Sequence, residues 1–522
     1  MTTSNGHVSK SQQATQRRIE YHEADIVIVG AGILGCALAV ALGRQGRSVL
    51  LLESSMKEPD RIVGELLQPG GVQALEQLGL RDCLDEIDAI EVKGYYVSYH
   101  GDPVQLEYPK ATPSSPAPLG KAFHHGRFVM KLREAALDCP NVTVVETTAT
   151  ALVTSSTNPS QVLGVECITN DLKDCYFAQL TVVADGYASK FRKAHHRYTP
   201  KRRSKFWGLE MIDAQLPSPC YGHVLLSDCP PVLMYQIGTH ETRILIDIPD
   251  NLPAASVKNG GVKGYMKNTV LPSLPQGAQP AFAAALEKGN LRSMPNSFLP
   301  PSTNKTPGMM ILGDALNMRH PLTGGGMTVA LNDVCVIREL LSPEAVPDLG
   351  DTTLVLKQLA RFHWARKNSS SVINILAQAL YSLFAADGMI LPLSVITQVP
   401  SLTLRRCQPP CPSARLLPLL PDRRRGWTRR STRRPHQTTP RPFLPLLHCR
   451  FPLHLGPLPR HSSDAPHPIP LPVHHGLLDR LRCDFPIHLR RAPVLIRPSG
   501  DDFYIICLLM NLTCFSDGAP LP

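Results

Sequence analysis

Along the chain, short apolar runs alternate with segments whose apolar residues recur at helical spacing, and the first organised block lies at residues 25 to 53. An apolar run at 26 to 29 meets a glycine cluster, a helical stretch continues to about residue 46, and a second apolar run fills 48 to 52. This order of periods predicts a βαβ unit. Residues 94 to 99 and 142 to 165 are rich in Val, Thr and Tyr with Pro and Ser loops between, which predicts strands. Another strand is expected at 180 to 184. Between 201 and 300, short apolar segments (224 to 226, 232 to 237, 242 to 248) are separated by Pro and Gly, a pattern suited to an antiparallel sheet. A buried strand is expected at 309 to 312, then helices at about 328 to 341, 354 to 367 and 371 to 386.

Composition changes this picture only near the end. The formal charge is +11 over 522 residues, and all of the excess lies in 401 to 522, where there are 18 Arg, 7 Asp and neither Lys nor Glu. Residues 1 to 400 are neutral, so the basic character is not evidence for a nucleic-acid partner. Of 49 Pro, 21 fall in the same region, a density that forbids long helices and central strands. Two readings of 388 to 522 stand: a disordered basic tail, or translation in a shifted frame, which accounts for the simultaneous loss of two common residue types. Both predict low order. The 14 Cys form no CxxC pair and read as reduced thiols facing a cytosol; Cys407 and Cys411 have no second pair at zinc spacing, and no metal is expected. Residues 1 to 24 are polar and read as a disordered lead-in without signal peptide or membrane span.

Gly30-Ala31-Gly32-Ile33-Leu34-Gly35 fits GxGxxG directly after a strand and at the start of a helix. Gly30 permits the tight turn, Gly32 lets backbone approach a pyrophosphate, and Gly35 lets helix and strand pack closely. Glu53 ends the next strand, where a carboxylate can accept from ribose hydroxyls. The motif predicts dinucleotide binding but does not choose FAD over NAD. Asp185-Gly186, with Ser189 and Arg192, gives the DGxxSxxR pattern of flavoprotein hydroxylases. Asp314 follows another strand, placed to accept from the flavin's ribityl chain or ribose, and Gly324-Gly325-Gly326 open a helix whose N–H groups could face the flavin ring.

The stretches RIVGELLQPGG (61 to 71), FHHGRFVMKLR (123 to 133), VVADGYASKFRK (182 to 193) and GDALNMRHPLTGGGMTVAL (313 to 331) closely resemble squalene epoxidases, fungal type, over roughly residues 25 to 387. The resemblance implies an α/β (α+β) chain. A Rossmann-like FAD-binding domain of the flavoprotein hydroxylase type would span 25 to 200 and 301 to 345, with an inserted antiparallel-sheet substrate domain at 201 to 300 and a helical segment at 346 to 387. It implies that Ile33, Leu34, Glu53, Ser54, Arg61, Leu66, Arg133, Ala149, Asp314 and Met327 contact FAD, Arg61 and Arg133 as cations suited to its phosphates. Tyr95 would lie at the active site with Gln68 as its hydrogen-bond partner beside the flavin. Read alone, Tyr95 is one of several tyrosines in a strand. His124 and His125 are expected to be structural, since epoxidation needs no strong general base.

The chemistry implied is oxygen transfer from a flavin hydroperoxide to the terminal double bond of squalene, giving 2,3-oxidosqualene for sterol (ergosterol) biosynthesis. Dioxygen is consumed, and electrons come from a separate NADPH-dependent cytochrome reductase, in keeping with the lack of a second GxGxxG. A membrane surface, that of the endoplasmic reticulum (microsomal) with lipid droplets as a second station, is the implied location. The family's apolar C-terminal helices have no counterpart here: the longest late apolar run, 503 to 510, is 8 residues against the roughly 20 of a span. Two other readings stay open: an FAD hydroxylase for an aromatic or polyketide substrate that oxidises NAD(P)H directly, and an inactive altered-frame product.

Overall fold

A computed structural model describes residues 22 to 384 with the exception of Asp228. The expected lead-in, apart from its last residues, and the expected tail with Cys407, Cys411 and the run at 503 to 510 lie outside the described residues.

Three sheets organise the described chain. The first runs in the order Val142–Glu146, Val49–Glu53, Glu23–Val29, Leu172–Val183, Val162–Thr169, Thr148–Thr154, with Met309–Ile311 also pairing with Leu172–Val183. Its Val49–Glu53, Glu23–Val29 and Leu172–Val183 strands are parallel neighbours. Ile26, Val27 and Ile28 are fully buried because helices cover this sheet, which is why the sequence there is a continuous apolar run rather than an alternation. Helix Ile33–Gly43 is buried almost all round, as a helix without a polar face must be, packed against helices His125–Leu137 and Gly326–Leu340.

The second sheet has the order Arg292–Phe298, Lys201–Ile212, Glu241–Pro249, Val232–Gln236, Gly222–Leu226, Gly94–Tyr99, Asp102–Glu107. Alternation along its strands separates two faces. Val232, Met234, Ile244 and Ile246 pack under helix Gln279–Lys288 in one core, while Leu233, Tyr235 and Leu245 join Tyr95, Val97 and Leu66 in another. A small third sheet joins Leu66–Leu67, Gly120–Ala122 and Ile90–Val92.

Three expectations need correction. Gly94–Tyr99 and Asp102–Glu107 belong to the second sheet, where Tyr95 is the parallel partner of Gly222, so that sheet is not confined to 201 to 300 or wholly antiparallel. Within 201 to 300 there is also helix, Gly261–Tyr265 and Gln279–Lys288, because a sheet buried on both faces needs a second cover. The helices expected at 354 to 367 and 371 to 386 are one, Thr352–Phe384. Neither Pro nor Gly occurs between 351 and 387, and packing overrides the weak helix preference of Asn368-Ser369-Ser370-Ser371. Val355, Leu359 and Phe362 before that run bury in the first core, and Leu376 and Leu380 after it bury in the core around Tyr95.

Candidate active site

One cavity of about 650 Å³ is bounded by both large sheets. Of the residues predicted for the site, Gly35, Ser189, Arg192 and Gly325 are absent from its wall. Gly35 acts one layer behind: a Cβ there would fall 1.9 Å from the Gly30 carbonyl oxygen, so the helix can lie on the turn only without a side chain. At Gly32 a Cβ would meet nothing within 4 Å, and the helix that Gly32 caps has no side-chain cap at its N-terminus. Open space in front of free N–H groups is what an anionic pyrophosphate requires.

Glu53 ends its strand with Oε2 accepting from the Ala31 N–H at 2.8 Å and Oε1 accepting from the Ser54 hydroxyl at 3.0 Å. Arg133, almost fully buried on helix His125–Leu137, donates from Nε to the Ala31 carbonyl and from a terminal nitrogen to the Lys57 carbonyl, both at 3.0 Å. Its other nitrogen stands 3.6 Å from Glu53. The turn, the carboxylate and the cation are thus one fixed unit. Arg61 is exposed, with its guanidinium 5.7 Å from the centre of the Tyr187 ring.

The DGxxSxxR segment works as a brace. Ser189 Oγ accepts from the Arg192 N–H at 3.2 Å, and the Arg192 side chain donates to the carbonyls of Tyr187 and, at 3.0 Å, Asp314. It therefore ties the Asp185 loop to the Asp314 turn. Burial pushes both carboxyls above the usual range; Ser189 and the Lys190 N–H oppose this at Asp185, and Arg319, Arg61 and Arg192 oppose it at Asp314. Asp185 Oδ1 is buried without a hydrogen-bond partner among the described residues. An acceptor left open in the wall suits a hydroxyl-bearing ligand.

At the junction with the second sheet, Gln68 Nε2 donates to the Tyr95 hydroxyl at 2.5 Å and to the Thr323 carbonyl at 3.1 Å, and the Tyr95 hydroxyl donates to the same carbonyl at 3.3 Å. Gln68 stands at the N-terminus of helix Pro69–Leu78, and Thr323 directly precedes the three glycines. Three distant segments therefore meet in one buried triangle. Beyond it Leu66, Val224, Leu233, Leu245 and Leu322 make the wall apolar.

His125 and His124 differ. His125 lines the cavity with Nδ1 2.9 Å from the Gly64 carbonyl, and burial pushes it down to about 4, so it is neutral. His124 caps the same helix by position, outside the cavity wall, 4.0 Å from Glu241. Sequence reasoning missed Arg319, which lies in the wall with Nε donating to Asn374 at 2.7 Å and a terminal nitrogen donating to Asn317 at 2.7 Å. It also missed Glu65 and Arg243, a buried pair whose signal in sequence is only an Arg directly before the apolar run at 244 to 246.

Comparison with known proteins bears on this geometry. The family model described as squalene epoxidase matches residues 177 to 393, and that described as FAD binding domain matches 23 to 217. A squalene epoxidase of Aspergillus fumigatus is 72% identical over 394 residues, covering 75% of this chain and 82% of that protein. The chain belongs to the squalene epoxidase family. A squalene epoxidase of Schizosaccharomyces pombe is 47% identical over 367 residues, covering 69% of this chain and 79% of the relative. Among solved structures, PqsL, a probable FAD-dependent monooxygenase from Pseudomonas aeruginosa, superposes with a TM-score of 0.59 at 21% identity, covering 70% of this chain and 97% of its own. That likeness shows the fold.

Proposed function

We propose that the protein is an FAD-dependent squalene monooxygenase, converting squalene and dioxygen to 2,3-oxidosqualene. The observation that carries this reading is a single cavity whose one end has the turn, Glu53 and Arg133 of a dinucleotide site and whose other end is apolar, with the Gln68–Tyr95–Thr323 triangle between them. FAD, when bound, supplies the activation of dioxygen that no side chain can provide. The chain's own part is to hold and exclude. The Gly30 turn and Arg133 would receive the pyrophosphate, Glu53 the ribose, and Asp314 the ribityl side; Gln68 and Tyr95 would fix the wall where ring and alkene meet. Leu66, Leu233, Leu245 and Leu322 keep water from the reacting bond.

An NADPH-dependent cytochrome reductase as electron source and the endoplasmic reticulum membrane as the place of action belong to the same proposal. Among the described residues no helix is long and apolar enough to cross a membrane. Full-length protein loaded with FAD is supplied with squalene, dioxygen, NADPH and a cytochrome reductase, and the epoxide is read by mass spectrometry. Epoxide that depends on the reductase is the expected result. NADPH consumption without reductase, or flavin binding with no epoxide, would overturn it.

A further inference from the structure

Glu65 and Arg243 lie together where the two halves of the cavity join. Glu65 is 1% exposed and lines the cavity, and both of its oxygens accept from Arg243, Oε2 from Nε and Oε1 from a terminal nitrogen, each at 2.8 Å. The Tyr235 hydroxyl, also in the wall, donates to Oε2 at 3.5 Å. Arg243 shares a strand face with Leu245, which turns it toward the cavity side of the second sheet. Glu53, Asp185 and Asp314, by contrast, face the dinucleotide end. Glu65 lines the cavity and is bonded to Arg243 and Tyr235 of the second sheet.

A buried ion pair in an apolar wall is weak evidence of stabilisation, since hydrophobic replacements of such pairs often serve as well. The product offers a chemical reason for it. Resting on the squalene reading above, we propose that Arg243 withholds Glu65 from acid chemistry, so that the epoxide leaves the cavity unopened. An epoxide with a fully substituted carbon is opened by a carboxylic acid in a defined way. The acid's O–H bond breaks as the epoxide oxygen takes the proton, and the bond from that oxygen to the tertiary carbon breaks with its electron pair going to oxygen. Water then adds to the carbon and returns a proton to the carboxylate. The sum is addition of one water, giving a diol, with no oxidant or reductant.

A carboxyl this buried becomes such an acid when left alone, because desolvation disfavours its charge. Burial pushes Glu65 above the usual carboxylate range even with Arg243 in place, and the hydrogen bonds and charge of Arg243 hold it below where burial alone would set it. The other groups acting on Glu65 are Tyr235, which favours the carboxylate, and Glu210, which stands 3.6 Å from Arg243 and disfavours it. His124 feels the charge of Arg243. Arg243 is accordingly a positioning residue that sets product identity rather than rate.

The test supplies 2,3-oxidosqualene to full-length, FAD-loaded protein in oxygen-18 water and reads labelled diol by mass spectrometry; no turnover of squalene is needed. Wild type yields no more diol than buffer. Arg243→Met yields labelled diol, falling as pH rises, because each unit by which Glu65 moves toward the assay pH multiplies the acid fraction by about ten. Glu65→Gln with Arg243→Met returns to the wild-type level. Should Arg243→Met fail to bind FAD, Arg243→Gln, which also removes the cation but keeps one donor, is read instead and gives an intermediate yield. A folded Arg243→Met or Arg243→Gln protein that leaves the epoxide intact overturns the proposal, as does diol from the double variant. Failure of wild type to epoxidise squalene would instead count against the function, which the separate turnover assay reads.

Discussion

Alanine at Gly32 and alanine at Gly35 perturb the same helical turn, one methyl apiece, with opposite expected consequences. At Gly32 the backbone has φ −86°, open to any residue, and the new methyl has no neighbour within 4 Å. Losing a glycine N-cap costs the helix less than about 1 kcal/mol, and a less flexible unfolded chain offsets this by about 0.4 to 1 kcal/mol. The apoprotein should therefore melt as wild type does. FAD should suffer, because the methyl occupies the space its pyrophosphate must enter; a loss of about 3 kcal/mol corresponds to a Kd raised more than about 100-fold. At Gly35 the methyl would lie 1.9 Å from the Gly30 oxygen, so helix and strand must separate, at a cost of about 1 to 3 kcal/mol or more. Thermal melting of the apoprotein and titration with FAD followed by flavin fluorescence distinguish the two. Wild-type FAD affinity in Gly32→Ala, or a melting temperature as low as that of Gly35→Ala, would refute the assignment of this space to phosphate.

Tyr95→Phe deletes the hydroxyl that accepts from Gln68, and losing that hydrogen bond should cost about 0.5 to 1.5 kcal/mol; squalene turnover should fall about tenfold or more while FAD remains bound, and unchanged kcat would remove the triangle from the mechanism. Arg366→Met strands buried Asp333, which now accepts from Arg366 through both oxygens at 2.9 Å, and should cost about 3 to 5 kcal/mol in urea unfolding, whereas adding Asp333→Leu should recover most of it. Stability should also fall with acid. Burial holds His125 and His223 at about 4 against an ordinary 6.5, so the unfolded chain binds their protons first as pH drops. Their contribution is complete above pH 6.5 and is lost toward pH 4, by about 1.4 kcal/mol per unit for each histidine. His125→Gln should roughly halve that slope; an unaltered slope would mean that other groups carry the acid sensitivity.

The dinucleotide half of the site was legible because its residues act through short spacings. The glycines, Glu53 and the DGxxSxxR brace all lie close to the strand ends that position them, and apolar runs mark those strands. The apolar half was less so. Gly94–Tyr99 reads as a strand, yet nothing local says that its partner is Gly222–Leu226, more than a hundred residues away. Glu65 and Arg243 are separated by 178 positions, and each alone resembles an ordinary surface charge. Asn and Ser prefer caps and turns, so 368 to 371 reads as a break in the long helix, but Ser370, 1% exposed, shows this local preference to be outweighed by burial.

Helix Thr352–Phe384 has a practical meaning for anyone shortening or fusing the chain. Asn374 accepts from Arg319, and Ile373 stands where a Cβ on Gly325 would come within 2.9 Å of it, so the second half of the helix props the glycine segment next to Met327. A cut at the end of the dinucleotide-binding segment, near 345, would look harmless in a motif map while removing that prop. Expression boundaries and fusion points belong beyond residue 384, and a lesion that frays this helix from its C-terminal end would reach the cofactor site without altering any residue in it.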